Sequence, residues 1–192
     1  PDDTALRKTL AEQYLESGKA DPAMAQYRAV LARKPDDVTA LSGLSRCLVE
    51  KKDYKTALPW TKRITELNPK DAAAHAVAGF LYGKMGKWTE AVKHYETSLR
   101  LKPGDAMVHF SLGGAYEKTG KLAPAVREYE AAHKQLPGDQ RVTQALADAY
   151  RKAGREQDAA RLYAKLVKKN GKDPGAYAAL AQAHGKKGQV KE

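Results

Sequence analysis

Apolar residues recur at helical spacing in short runs separated by polar turns. Between residues 72 and 100, Ala74, Ala78, Leu81 and Tyr82 fall on one helical face, and Ala91, Val92, Tyr95 and Leu99 on another. Gly86 stands between the two runs, where a left-handed residue can end a helix. Asn68-Pro69 and Lys102-Pro103 close the runs before them, because the residue preceding proline avoids the helical region. The small residues Ala78, Gly79 and Ala91 let two helices approach closely, and Tyr82 and Tyr95 fill the adjoining space. Extended along the chain, this pattern predicts first helices near 5–17, 39–51, 73–85, 107–119, 141–153 and 175–187. It predicts second helices near 21–34, 55–68, 89–102, 123–136 and 157–170. Pro22 and Pro124 fall in first turns, where proline is tolerated, whereas Pro59 lies deeper and is expected to kink its helix.

The runs keep a fixed period. Prolines 35, 69, 103 and 137 are 34 residues apart, and the next step lands on Gly171. Glycines 18, 86, 120, 154 and 188 keep the register, with Lys52 in the vacant place. Tyr14, Leu48, Tyr82, Tyr116 and Tyr150 form one series, and Tyr27, Thr61, Tyr95, Tyr129 and Tyr163 a second. Ala23, Ala57, Ala91, Ala125 and Ala159 complete it without a break. An unbroken period of this length marks a repeat array, in which each unit buries its remaining apolar face against its neighbours.

These residues resemble the tetratricopeptide repeat. The segment from Ala106 matches best, with His109, Leu112, Gly113, Tyr116, Gly120, Ala125, Tyr129, Ala132 and Pro137 in the characteristic places. The segment from Val38 departs most, at Lys52 and Thr61. The resemblance implies an all-α superhelix, a solenoid of stacked antiparallel helix pairs. It divides residues 1–192 as a single array with repeats 4–37, 38–71, 72–105, 106–139 and 140–173 and a half repeat 174–192. Pro1-Asp2-Asp3 matches Pro35-Asp36-Asp37 in phase, so the chain is expected to be a piece of a longer array. The half repeat reads either as a polar cap or as a cut end.

Composition narrows the function. No apolar run approaches the ~20 residues of a membrane-spanning helix, and 42% hydrophobic residues are too many for a disordered chain. One cysteine, Cys47, excludes an internal disulfide and reads as an inert buried thiol. The net charge is +11 and uneven: residues 1–71 carry 13 basic and 11 acidic side chains, residues 72–192 carry 21 and 12. The later part is therefore expected to attract anionic partners in a salt-dependent way. The first residue is Pro and no signal peptide follows, so the sequence leaves the compartment, cytoplasmic or periplasmic, open.

No catalytic constellation stands out, and the chain reads as a non-enzyme without cofactor or metal. His75 and His109, one period apart, fill the bulky fourth place of their repeats and read as packing residues rather than metal ligands. Thr119-Gly120-Lys121 fails as a phosphate loop, since Ala115 and Leu122 stand where glycine and Ser/Thr are needed.

The resemblance implies that first helices line a concave groove, which partners touch through the second, fifth, sixth, ninth, twelfth and thirteenth places of each repeat. Those places hold Lys8, Thr9, Glu12 and Glu16, then Thr39, Ser42, Arg46 and Glu50, then Val77, Phe80 and Lys84. Later repeats place Met107, Phe110, Ser111, Glu117 and Lys118, then Arg141, Gln144, Asp148, Arg151 and Lys152, then Gln182 and Lys186. Phe80 and Phe110 with Val77 and Met107 read as an apolar anchor for a partner, or as rings packed sideways between first helices. Lys84, Lys118, Lys152 and Lys186, with Arg141 and Arg151, form a ladder suited to an acidic peptide, or answer the helix dipole. The family's carboxylate clamp is absent, since only Lys8 of its five places matches, and so is the asparagine ladder of its sugar-transferring members. The function expected is a protein–protein interaction scaffold binding a protein or peptide segment, acidic around an apolar anchor. The alternatives are a basic solenoid binding nucleic acid, disfavoured by the few groove aromatics, a regulatory or targeting arm of a larger enzyme, and self-association.

Overall fold

The computed structural model describes residues 3–169 together with Tyr177 and Ala181. The half repeat from Pro174, with its expected helix and the groove residues Gln182 and Lys186, lies outside the described residues except for Tyr177 and Ala181. The described residues form helices joined by short turns, with no strand among them. They fall into two compact units that divide in the turn closing the third repeat, at Pro103 and Gly104.

The first unit holds α1 (Thr4–Glu16), α2 (Ala20–Leu31), α3 (Val38–Glu50), α4 (Tyr54–Leu67), α5 (Ala72–Lys84) and α6 (Trp88–Leu101). Consecutive helices pair as hairpins, α2 packs on α3, α4 packs on α5, and α1 also touches α3. The second unit holds α7 (Ala106–Lys118), α8 (Leu122–Gln135), α9 (Gln140–Lys152) and α10 (Glu156–Lys169), with α8 packed on α9. Helix starts and ends fall within a residue or two of the sequence expectation, except that α2 stops at Leu31, three residues short of it. Helix α4 continues through Pro59 to Leu67.

Each first helix begins at an aspartate, Asp3, Asp37, Asp71, Asp105 or Asp139, whose side chain accepts a backbone N–H of the first turn. These caps share the 34-residue period of the prolines. First helices end where Gly18, Gly86, Gly120 and Gly154 take positive φ near +70° to +77°. In the second repeat Lys52 adopts the same conformation, at φ 59°. A side chain there costs about 1–2 kcal/mol over glycine.

The hairpins close on the tyrosine of the twenty-fourth place. A Cβ on Gly79 would lie 2.8 Å from the Tyr95 ring, and one on Gly113 would lie 2.8 Å from Tyr129. Both separations are too short for real atoms, so the rings require glycine opposite them. The second repeat solves the same contact differently. Thr61 replaces the ring and Ser45 replaces the glycine, and their hydroxyls hydrogen-bond at 2.7 Å while fully buried. Tyr27 is fully buried and presses on the next hairpin at Gly43, where a Cβ would stand 2.1 Å from its ring carbon Cζ. Around these contacts the first unit buries Leu41, Leu44, Cys47, Ile64 and Leu81. The second buries Val126, Leu146, Leu162, Tyr163 and Leu166.

Two stability measurements check this packing. Gly43→Ala should lower unfolding free energy by about 3 kcal/mol in urea titrations, because the Tyr27 ring has no room to retreat. Lys52→Gly should raise it by up to about 1 kcal/mol, the relief at φ exceeding the added freedom of the unfolded chain.

Candidate functional site

The candidate residues lie on first helices, and the structure sorts them into free and occupied groups. In the first unit, Val77 and Phe80 on α5 are 39% and 36% exposed. Tyr54 meets Phe80 edge-on, with ring centroids 6.0 Å apart. The Lys84 ammonium, one turn further along, lies 5.3 Å from the centre of the same ring. The result is an apolar patch with one cation at its edge.

Elsewhere on the first unit several groove places are engaged internally. Lys8 Nζ pairs with the capping carboxylate of Asp37 at 2.9 Å. Glu12 accepts the Tyr27 hydroxyl at 2.6 Å and also pairs with Arg46 of the next first helix. Burial pushes the Glu12 carboxyl up, but the Tyr27 hydroxyl and the Arg46 guanidinium outweigh it and hold the group below its ordinary value. Burial, reinforced by Glu12, raises Tyr27 far above the ordinary phenol range, so it remains a neutral donor.

The second unit repeats this device. Tyr129 donates to Glu117 at 3.1 Å, and Glu117 pairs with Lys152. Tyr163 donates to Asp148 at 2.7 Å, and Arg151 reaches both the Tyr163 oxygen at 3.3 Å and Asp148 at 3.6 Å. Burial and then Asp148 push Tyr163 up to about 12. Arg141 folds back on Asp139, the cap of its own helix, at 2.8 Å, and holds that carboxyl down at about 2. Arg141, Arg151 and Lys152 therefore carry internal partners, while Lys118 is exposed and has no ion-pair partner among the described residues. Met107 is 42% exposed. Phe110 is half-buried against the core of its unit, its ring centroid 5.8 Å from that of Tyr129.

The sequence reading missed the tyrosine–carboxylate latches. Their signal is a carboxylate 15 residues before the tyrosine, as in Glu12–Tyr27 and Asp148–Tyr163, or 12 before it, as in Glu117–Tyr129. In the third repeat both corresponding places lack a carboxylate: Phe80 and Gly83 stand there. Cys47 is fully buried, and burial pushes its thiol up to about 11, which keeps it protonated.

Tetratricopeptide repeat models match residues 14–79 and 120–184, and a second such model matches residues 81–120. The chain belongs to the tetratricopeptide repeat family. TPR proteins generally mediate protein–protein interaction, and TPR scaffolds are generally non-catalytic. No curated protein sequence matches the chain. Among solved structures it is similar to MamA from Desulfovibrio magneticus RS-1, at 20% identity and a TM-score of 0.83, over 90% of this chain and 98% of that one. It is similar to YrrB, described as a TPR protein with an unusual peptide-binding site, at 19% identity and a TM-score of 0.81, over 92% and 91% of the two chains. It is also similar to the thermophilic TPR protein TTC0263 from Thermus thermophilus, at 23% identity and a TM-score of 0.63, over 94% and 98%. At these identities the likeness establishes the stacked-hairpin fold of TPR solenoids. No helix among the described residues is long and apolar enough to cross a membrane.

The Glu12 latch sets a pH dependence. A carboxyl whose folded value lies below its unfolded one stabilises fully above the unfolded value, about 4.5, and loses that contribution as the pH falls through the folded value. Urea midpoints should therefore decline below about pH 4.5, and Glu12→Gln should flatten that decline while lowering the midpoint at neutral pH. An unaltered acid limb in the variant would remove Glu12 from the linkage.

Proposed function

We propose that the chain is a protein–protein interaction scaffold that holds a partner segment on its first-helix faces, and that its role is binding rather than catalysis. The observation that carries this is the α5 patch. Val77 and Phe80 are exposed, Phe80 at the place where Glu12 and Asp148 accept a tyrosine hydroxyl in the first and fifth repeats, and Lys84 borders its ring. An apolar patch rimmed by charge suits a partner side chain that is aromatic or aliphatic and has acidic neighbours. On the second unit, Met107 supplies an exposed apolar residue, and Lys118 a cation without an ion-pair partner among the described residues. Phe110 contributes chiefly to packing. Arg141, Arg151 and Lys152 enter the surface as members of internal pairs, so a partner carboxylate has to compete with Asp139, Asp148 and Glu117 for them. Salt dependence should accordingly rest on Lys84 and Lys118.

A displayed peptide library panned on the full chain tests this. Selected peptides should carry a large apolar residue next to Asp or Glu. Phe80→Ala should abolish the enrichment while costing less than about 1 kcal/mol of stability, and Phe110→Ala should cost about 2–3 kcal/mol. Lys84→Glu with Lys118→Glu should flatten the salt dependence of a selected peptide. Enrichment that survives Phe80→Ala, or retention of RNA at physiological salt in place of peptide, would overturn the proposal.

A further inference from the structure

We propose that His75 and His94 form a two-imidazole site for a divalent transition-metal ion, taking Cu(II) most tightly. The rings stand on the antiparallel helices α5 and α6, and their Nδ1 atoms face each other at 3.2 Å. Bonds of about 2.0–2.1 Å set two imidazole nitrogens about 3.3 Å apart in tetrahedral coordination and about 2.9 Å apart as cis ligands of a square-planar ion, so the pair lies between these separations. The hairpin therefore holds two nitrogen donors at a chelating separation.

The surroundings orient both rings. His75 Nε2 lies 3.1 Å from the Pro69 carbonyl oxygen. A carbonyl only accepts, so Nε2 carries the proton and Nδ1 presents its lone pair. A ring N–H given to a carbonyl is the outer contact that fixes metal-binding histidines. His94 is half-buried and stacked on Tyr82, with ring centroids 5.2 Å apart. Without an ion, His94 Nδ1–H donates to His75 Nδ1. On binding, His94 carries its proton on Nε2 instead, a tautomer change without net proton release.

The ion class follows from the donor set. No third His, Cys, Asp or Glu joins the pair among the described residues, so water completes the shell and the ion exchanges readily. Two imidazoles disfavour Mg²⁺ and Ca²⁺, and the order of divalent affinities places Cu(II) first. The Lys62 ammonium acts on His94 and opposes any cation there. The hairpin does not need imidazoles at these two places to fold: the first repeat sets Arg7 against Gln26 at 2.9 Å, and the fourth sets His109 against Glu128 at 2.7 Å.

Titration of the full chain with Cu(II) chloride near pH 7, followed by electron paramagnetic resonance and proton NMR, tests the site. Two-nitrogen coordination at one equivalent and broadening of the Tyr82 ring signals are expected. His75→Gln and His94→Gln should each weaken that equivalent at least about tenfold at unchanged helicity. Lys62→Gln should tighten it several-fold. Equal affinity in both glutamine variants and the unmodified chain would place the ion elsewhere and overturn the proposal. If a variant loses helicity, the unmodified chain decides, because Tyr82 signals left sharp at one equivalent also overturn it.

Discussion

The whole architecture depends on how closely the two helices of a hairpin can approach, and the ring of the twenty-fourth place sets that distance. Tyr95 and Tyr129 lie against backbone at Gly79 and Gly113, and Tyr27 reaches into the next hairpin at Gly43. Close-packed interiors leave no slack for an added methyl at such contacts. Thr61 and Ser45 show that the constraint is one of combined volume and polarity. When the ring shrinks to threonine, the facing glycine grows to serine, and the two buried hydroxyls satisfy each other.

The hydroxyl of that same tyrosine joins packing to the first-helix surface. In three repeats it reaches a carboxylate on the surface stripe, and that carboxylate or its neighbour then binds a basic side chain. Three of the basic side chains counted along the sequence, Arg46, Lys152 and Arg151, are thereby paired within the molecule. The third repeat has no carboxylate at either place, and Phe80 stands exposed there with Lys84 beside it. Phe80 thus offers apolar surface at a place that holds a carboxylate in the first and fifth repeats.

The third repeat is also unusual on its other flank, where His75 meets His94 while the fourth repeat sets His109 against Glu128. Two places that recur in every hairpin can therefore hold quite different donor pairs without altering the fold. Each hairpin needs only a compatible volume and a satisfied polar contact at that position. Repeat proteins vary their chemistry in this way because each unit contacts only its neighbours.

The helices, their ends and the family were legible in the sequence, because period, proline and glycine act locally on the backbone. The inert character of Cys47 was legible for the same reason, since its helical phase alone turns it inward. The partition of the candidate site was not. Phe80 and Phe110 both occupy groove places, in adjacent repeats, yet one is exposed beside Lys84 and the other half-buried against Tyr129. Lys118 and Lys152 share one place in the repeat, yet only Lys152 finds Glu117. Side-chain pairing between helices 12 to 35 residues apart depends on rotamer, reach and the identity of the residue opposite. A periodic pattern states which face a residue occupies, and only the packed structure decides what it meets there.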